Sequence, residues 1–131
     1  MAKNIREKAA KNKLNKDNRP KAYVKGIRIS SSKIVPVLNL IRNKSYNEAV
    51  SILENTPKSA SEVILKLLNS AASNAENNLS INKDKLFVAE CYAGQGSTYK
   101  RLMIRARGRA DRRLSRTSHI TIILDEVREE K

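Results

Sequence analysis

"KRLMIRARGRADRRLSRTSH" runs from Lys100 to His119, and the fold turns on how it is read. Between Lys100 and Arg116 stand eight basic residues and one acid, Asp111, in seventeen positions. One carboxylate cannot neutralise that much like charge, so the counter-charge lies outside the chain. Segments of period two flank the stretch. "LFVAECYA" places Leu86, Val88 and Tyr92 on one face, with Phe87, Ala89, Cys91 and Ala93 on the other. "SHITIIL" sets Ile120, Ile122 and Leu124 against His119, Thr121 and Ile123. Both are expected strands, and the roughly twenty-five residues between them are either a structureless loop or a ribbon continuing both; loops that long are uncommon in a compact domain. Arg105, Arg107 and Arg109 alternate with Ala106, Gly108 and Ala110, which favours an extended ribbon folding back near Arg105–Gly108. Arms of about a dozen residues at roughly 3.3 Å each would carry the tip on the order of 40 Å from the body.

An isolated two-stranded ribbon has no core and is marginal in water, so something outside the protein must hold it. Arginine presents a planar fork that suits phosphate bidentately and stacks on bases. The expected ligand is therefore polyphosphate. Basic residues fall on both parities (Arg112 as well as Arg113), which suits a ribbon surrounded by folded RNA better than one laid on a duplex. The candidate contacts are Lys100, Arg101, Arg105, Arg107, Arg109, Arg112, Arg113 and Arg116. Gly108 permits close packing or a turn at positive φ. Many basic runs are only solvated faces or tails. That blander reading suits Met1–Arg19, which is terminal and lysine-rich, but not an internal arginine-rich segment bounded by strands.

The body between the two basic segments is nearly neutral. Of the net charge of +14, Met1–Arg28 carries +8, Ile29–Tyr99 only +1, Lys100–Arg116 +7 and Thr117–Lys131 −2. Localised charge of this kind draws polyanions. An anionic membrane is the weaker candidate: there is no Trp, Phe87 is the single Phe, and the basic segments lack a wide apolar face. No apolar run is long enough to span a bilayer, and "MAKNIREKAAKNKLNKDNRP" does not read as a secretory signal. Cys91 alone allows neither an internal disulfide nor a cysteine-based zinc site, and a reducing, cytoplasmic compartment is expected.

At 131 residues one domain is expected: a flexible basic extension over 1–20, then a single unit over 21–131 with its hairpin at about 93–117. "KAYVKGIRI" (Lys21–Ile29) reads as a short edge strand. "SSSKIVPVLNLIRNK" offers serine caps, then Ile34, Val37, Leu38 and Ile41 on one helical face; Pro36 argues for a start near Ser32–Lys33. "SYNEAVSILENTP" opens on a capping box, Ser45 with Glu48. Thr56-Pro57 then reads as cap and first turn of a third helix with the stripe Ala60, Val63, Ile64, Leu67, Leu68, Ala71 and Ala75, fading at Glu76. Arg28, Ser30 and Lys33 could hold phosphate at the first helix N-terminus. His119, the only histidine, reads as structural, Cys91 as a small core residue, and Glu54, Glu62 and Glu76 as solvated.

"KRLMIRARGRADRRLSRTSHITIIL" closely resembles the hairpin and final strand of the twenty-second protein of the bacterial large ribosomal subunit. "GRA" followed by "RTSHIT" is highly specific to that family. "KLLNSAASNAENN" resembles its long helix and "SSSKIVPVLNLIRNK" its first, in collinear order over roughly Tyr23 to Asp125. The resemblance implies an α+β fold: a small three-stranded antiparallel sheet packed with three helices, plus a long protruding arginine-rich β-hairpin. It implies binding to large-subunit rRNA, with Arg28, Ser30, Lys33 and Gly108 joining the hairpin cations as contacts, and a part in subunit assembly. The hairpin tip would line the peptide exit tunnel, with Tyr99, Met103, Ile104 and Arg105 as candidates for that wall. Expected partners are this rRNA, neighbouring ribosomal proteins and nascent peptide, on cytoplasmic ribosomes. No cofactor, metal, membrane or obligate homo-oligomer is expected. Two positions depart from the family's frequent prolines, Ser97 and Ile104.

The main rival is a general nucleic-acid packaging or chaperone protein, which would bind DNA and RNA alike with steep salt dependence. An enzyme such as a small nuclease needs a base, an acid or a metal cage. The hairpin region supplies only Asp111 and His119 among arginines, so no catalytic residue is assigned.

Overall fold

A computed structural model describes residues 7–8 and 18–126. Most of the expected extension over 1–20, and the tail 127–131, lie outside the described residues. The elements are β1 (Lys21–Ile27), α1 (Ser31–Ile41), α2 (Tyr46–Asn55), α3 (Ser59–Leu79), β2 (Leu86–Ile104) and β3 (Ala110–Glu126). The three strands form one antiparallel sheet in the order β1-β3-β2, with the last strand in the middle. Its inward residues Ala22, Leu86, Val88, Cys91, Ile120, Ile122 and Leu124 share a single core with the apolar faces of all three helices. This is the expected α+β body.

In α1 the buried set is Ile34, Val37, Leu38 and Ile41, the stripe its spacing predicts. The helix starts at Ser31, slightly earlier than Pro36 suggested. Pro36 lies inside it, on the exposed face with Ser32. The Ser32 carbonyl that proline leaves without a helical donor therefore faces the watered side, where the loss costs least. In α2 the Ser45 side chain accepts from the Glu48 backbone N at 3.4 Å, and the Glu48 carboxylate lies 3.8 Å from Lys44. Thr56 does not cap α3. Its hydroxyl donates to the Ile52 carbonyl at 2.6 Å and closes α2 instead, so α3 begins two residues later with Lys58 as its N-cap. That helix then continues past Glu76 to Leu79, where Ser80 in the left-handed region stops it. Glu62 and Glu76 are solvated as expected, paired with Lys66 and Lys83.

One register shift corrects the face assignment in β2. Val88 pairs with Leu124 but Glu90 pairs with Ile123, so Ala89 is an extra residue in the ladder. Strict alternation puts Cys91 opposite Leu86 and Val88. The bulge reverses the parity, turning Cys91 into the core and Tyr92 outward. The α1–α2 connection holds this kinked edge: Asn43 N donates to the Val88 carbonyl at 3.0 Å, and Val88 N donates to the Lys44 carbonyl at 2.9 Å. The Cys91 thiol lies 3.4 Å from the Leu38 carbonyl, and burial pushes its pKa up despite the opposing pull of Arg42. Thiolate is the reactive form. Cys91 should therefore resist iodoacetamide in the native protein and react fully once urea unfolds it; modification at the same rate in both states would place the thiol at the surface.

Candidate nucleic-acid interface

Three consecutive side chains fix where the hairpin leaves the body. Thr117 donates its hydroxyl to the Ser97 carbonyl at 2.7 Å, across a second register shift between Gln95 and Thr98. Ser118, fully buried, donates to the Ile29 carbonyl at 2.8 Å, in the connection between β1 and α1. His119 Nδ1 accepts from Gly26 N at 3.0 Å, so its proton sits on Nε2. The neighbouring strand is thus the partner of the only histidine. These bonds give "TSH" a physical reason: each residue ties β3 to a different part of the hairpin root. Gly96 completes the joint. A Cβ there would lie 2.5 Å from Thr117 Oγ1 and 3.3 Å from His119 Cε1, and Thr117 is held by its own bond. Gly96→Ala should therefore lower stability by about 1–3 kcal/mol in urea denaturation, the usual range for overpacking; an unchanged midpoint would show that the joint yields freely.

Beyond this root the ribbon consists of seven paired rows, from Thr98 with Arg116 to Ile104 with Ala110. Residues 93–95 still belong to the three-stranded body, opposite Ile120 to Ser118. The free reach is accordingly roughly 25 Å, shorter than the sequence estimate. Facing residues share a side of the ribbon. Lys100, Arg112 and Arg116 lie on one side and Arg101 with Arg113 on the other, the latter two directly opposed. The tip is not an extended alternation of arginine and small residues. A 3₁₀ turn over Ala106–Gly108 reverses the chain, with Arg107 and Gly108 both at positive φ and Arg105 N bonded to the Arg109 carbonyl at 2.8 Å. Asp111, the single ribbon acid, takes a 3.0 Å bond from Arg105 Nε and pins that turn.

The structure brings one part of the predicted set together. Arg28, Ser30 and Lys33, at the start of α1, line a cleft of about 690 Å³ opposite Tyr99, Arg101 and Arg116 of the hairpin root. Ile29, Ser59, Leu114, Ser115 and Thr117 complete it. The pairing of β1 with β3 creates this neighbourhood, and no local signal in the sequence marks Ser59 as part of it. The first turn of α1 carries no acidic side chain and Ser30 makes no side-chain cap; Lys33 N donates to the Ser30 carbonyl at 3.0 Å, which leaves the N–H groups of Ser31 and Ser32 for an outside acceptor. Among the described residues, only Arg105 of the predicted cations has a carboxylate within salt-bridge distance. Lys100, Arg107, Arg109, Arg112 and Arg113 lie outside the cleft along the exposed ribbon. Tyr99 sits in the second row from the root, so it belongs with the cleft and not with the tip. Met103, Ile104 and Arg105 do stand at the tip. No group of three or more metal-ligating side chains occurs among the described residues.

Comparison with known proteins gives this geometry a family. The family described as Ribosomal protein L22p/L17e matches residues 22–125. A "Large ribosomal subunit protein uL22" of Pelotomaculum thermopropionicum is 53% identical over 109 residues, covering 83% of this chain and 96% of that one. Its counterpart in Clostridium beijerinckii is 51% identical over 106 residues, covering 81% and 96%, and that of Acetivibrio thermocellus is 53% identical over 106 residues, covering 81% and 85%. On a match that runs through body, cleft and hairpin alike, the chain belongs to the Ribosomal protein L22p/L17e family.

Proposed function

We propose that the hairpin and the cleft at its root anchor this protein in large-subunit rRNA, and that the tip reaches the path of the nascent peptide. The protein is a component of the large ribosomal subunit in the cytoplasm, structural and not an enzyme, as its family membership implies. The observation that carries the finer reading is a seven-row ribbon with cations on both sides, pinned by its one carboxylate and too thin to have a core. Directly opposed Arg101 and Arg113 repel each other unless an anion lies near them. Phosphates around the ribbon supply that anion on every side, which a flat duplex surface does not. At the root, α1 N–H groups and four cations converge on one cleft, a shape suited to a bend in the RNA backbone. At the tip, Ile104 stands 87% exposed beside Met103, and the exposed apolar side chains there suit a wall along which peptide passes. Contacts of this kind across separate rRNA segments would also assist subunit assembly.

The test compares affinity for large-subunit rRNA with affinity for duplex DNA at one moderate ionic strength. Marked preference for the rRNA is expected. Equal affinity would favour the packaging reading, because backbone charge alone does not distinguish the two.

A further inference from the structure

The face of the sheet turned away from the helices carries a feature the hairpin does not explain. Tyr23 of β1 and Tyr92 of β2 both pair with Thr121 of the central strand, one from each side. The three therefore form a single row across the sheet, with the tyrosines 65% and 52% exposed. Two strand spacings separate the rings' backbones, about 10 Å. Tyr92 reaches this face only because the bulge at Ala89 reverses the parity of β2. Lys25 Nζ lies 5.5 Å from the Tyr23 ring centre, and Lys21 begins the adjacent row, Lys21–Ile123–Glu90. The Glu90 carboxylate is paired with Arg19 at 2.8 Å. On the other side of the row, Gly94 faces His119 and has open space where a side chain would be.

We infer that this face is a second RNA-contact surface, on which Tyr23 and Tyr92 stack unpaired bases while Lys21 and Lys25 meet the flanking phosphates. The inference rests on the reading that RNA is the ligand of this chain. A protein partner is the less suited occupant. Among the described residues no other exposed large hydrophobic lies on this face, and Ile123 of the adjacent row is buried; the remaining exposed ones are on the helices or the hairpin, so an apolar interface would lack a centre. Amphipathic rings beside lysines on an open sheet are what single-stranded RNA uses, because every base has a π-face and every nucleotide a phosphate. Bases stacked in a helix are about 3.4 Å apart along the strand. A strand occupying both rings must therefore be splayed, and a duplex is excluded from the row.

The experiment uses the full chain and a twelve-nucleotide oligouridine carrying 4-thiouridine, cross-linked by light and mapped by mass spectrometry. Cross-links on the peptides holding Tyr23 and Tyr92, in addition to residues 100–116, are expected. Cross-links confined to residues 100–116 would overturn the sheet-face site and leave the hairpin reading intact. Affinity for the same oligonucleotide, measured at 0.5 M salt to suppress the electrostatic share, supplies the second readout. Replacing both Tyr23 and Tyr92 by alanine should weaken binding about tenfold or more, and replacing both by phenylalanine should preserve it. Unchanged affinity in the alanine pair, or an equal loss in the phenylalanine pair, would overturn the stacking role.

Discussion

Replacing Arg101, Arg112, Arg113 and Arg116 together by alanine is expected to weaken rRNA binding by about 300-fold at 0.15 M salt. Each phosphate released from a cation lowers the slope of log affinity against log salt by about 0.7–0.9, so four contacts remove a slope of roughly three. Between 1 M salt, where this contribution vanishes, and 0.15 M, that slope amounts to about two and a half orders of magnitude. The fold should not suffer. All four side chains are exposed, and none holds a carboxylate among the described residues. Removing the opposed Arg101 and Arg113 even relieves a repulsion. Filter binding over a salt series, with urea denaturation alongside, reads both effects. Loss of affinity without a change in slope would mean that these arginines act through shape and not through phosphate.

Ile122→Ala should do the opposite, costing about 2–5 kcal/mol of stability, a large part of the roughly 5–15 kcal/mol that such domains possess. Ile122 is fully buried on the central strand, between Ala22 of β1 and Cys91 of β2. Truncation there leaves a cavity at the meeting point of sheet and helices. Leu102→Ala removes a similar volume from the ribbon, where the residue is 73% exposed, and should change stability by no more than about 0.5 kcal/mol. Urea midpoints of the two variants compare core with ribbon directly. Equal losses would show that the ribbon packs on something within the chain, contrary to its description as a coreless arm.

The contrast between body and arm was legible in the sequence because it is local. Helical spacing exposed the faces of α1 and α3, and period two exposed β3. The charge run between two strands announced a ribbon that needs an external anion. What escaped was set by single residues or by distant ones. Ala89 inserts into β2 without any glycine or proline to mark it, so Cys91 and Tyr92 exchange faces relative to strict alternation, and nothing local in the sequence signals the outward tyrosine row. Thr56 has the chemistry of a cap at either helix, and its bond to Ile52 decided between them. A non-glycine residue at positive φ, Arg107, is not foreseeable from an arginine-alanine alternation. The partners of Thr117, Ser118 and His119 lie 20, 89 and 93 residues away, beyond any windowed reading. The residue types and spacing of Arg28, Ser30 and Lys33 mark a phosphate site at a helix start. Only the pairing of β1 with β3 puts Arg101 and Arg116 opposite them.

We propose that the ribbon is embedded in rRNA and not laid on its surface. Sedimentation of cell lysate through a sucrose gradient after a high-salt wash, with blotting for this protein, tests that most directly. Screening weakens exposed charge pairs but does not extract an arm enclosed by folded RNA. The protein is expected to remain with the large subunit through the wash. Its release to the top of the gradient would contradict the account and point to peripheral, charge-only attachment.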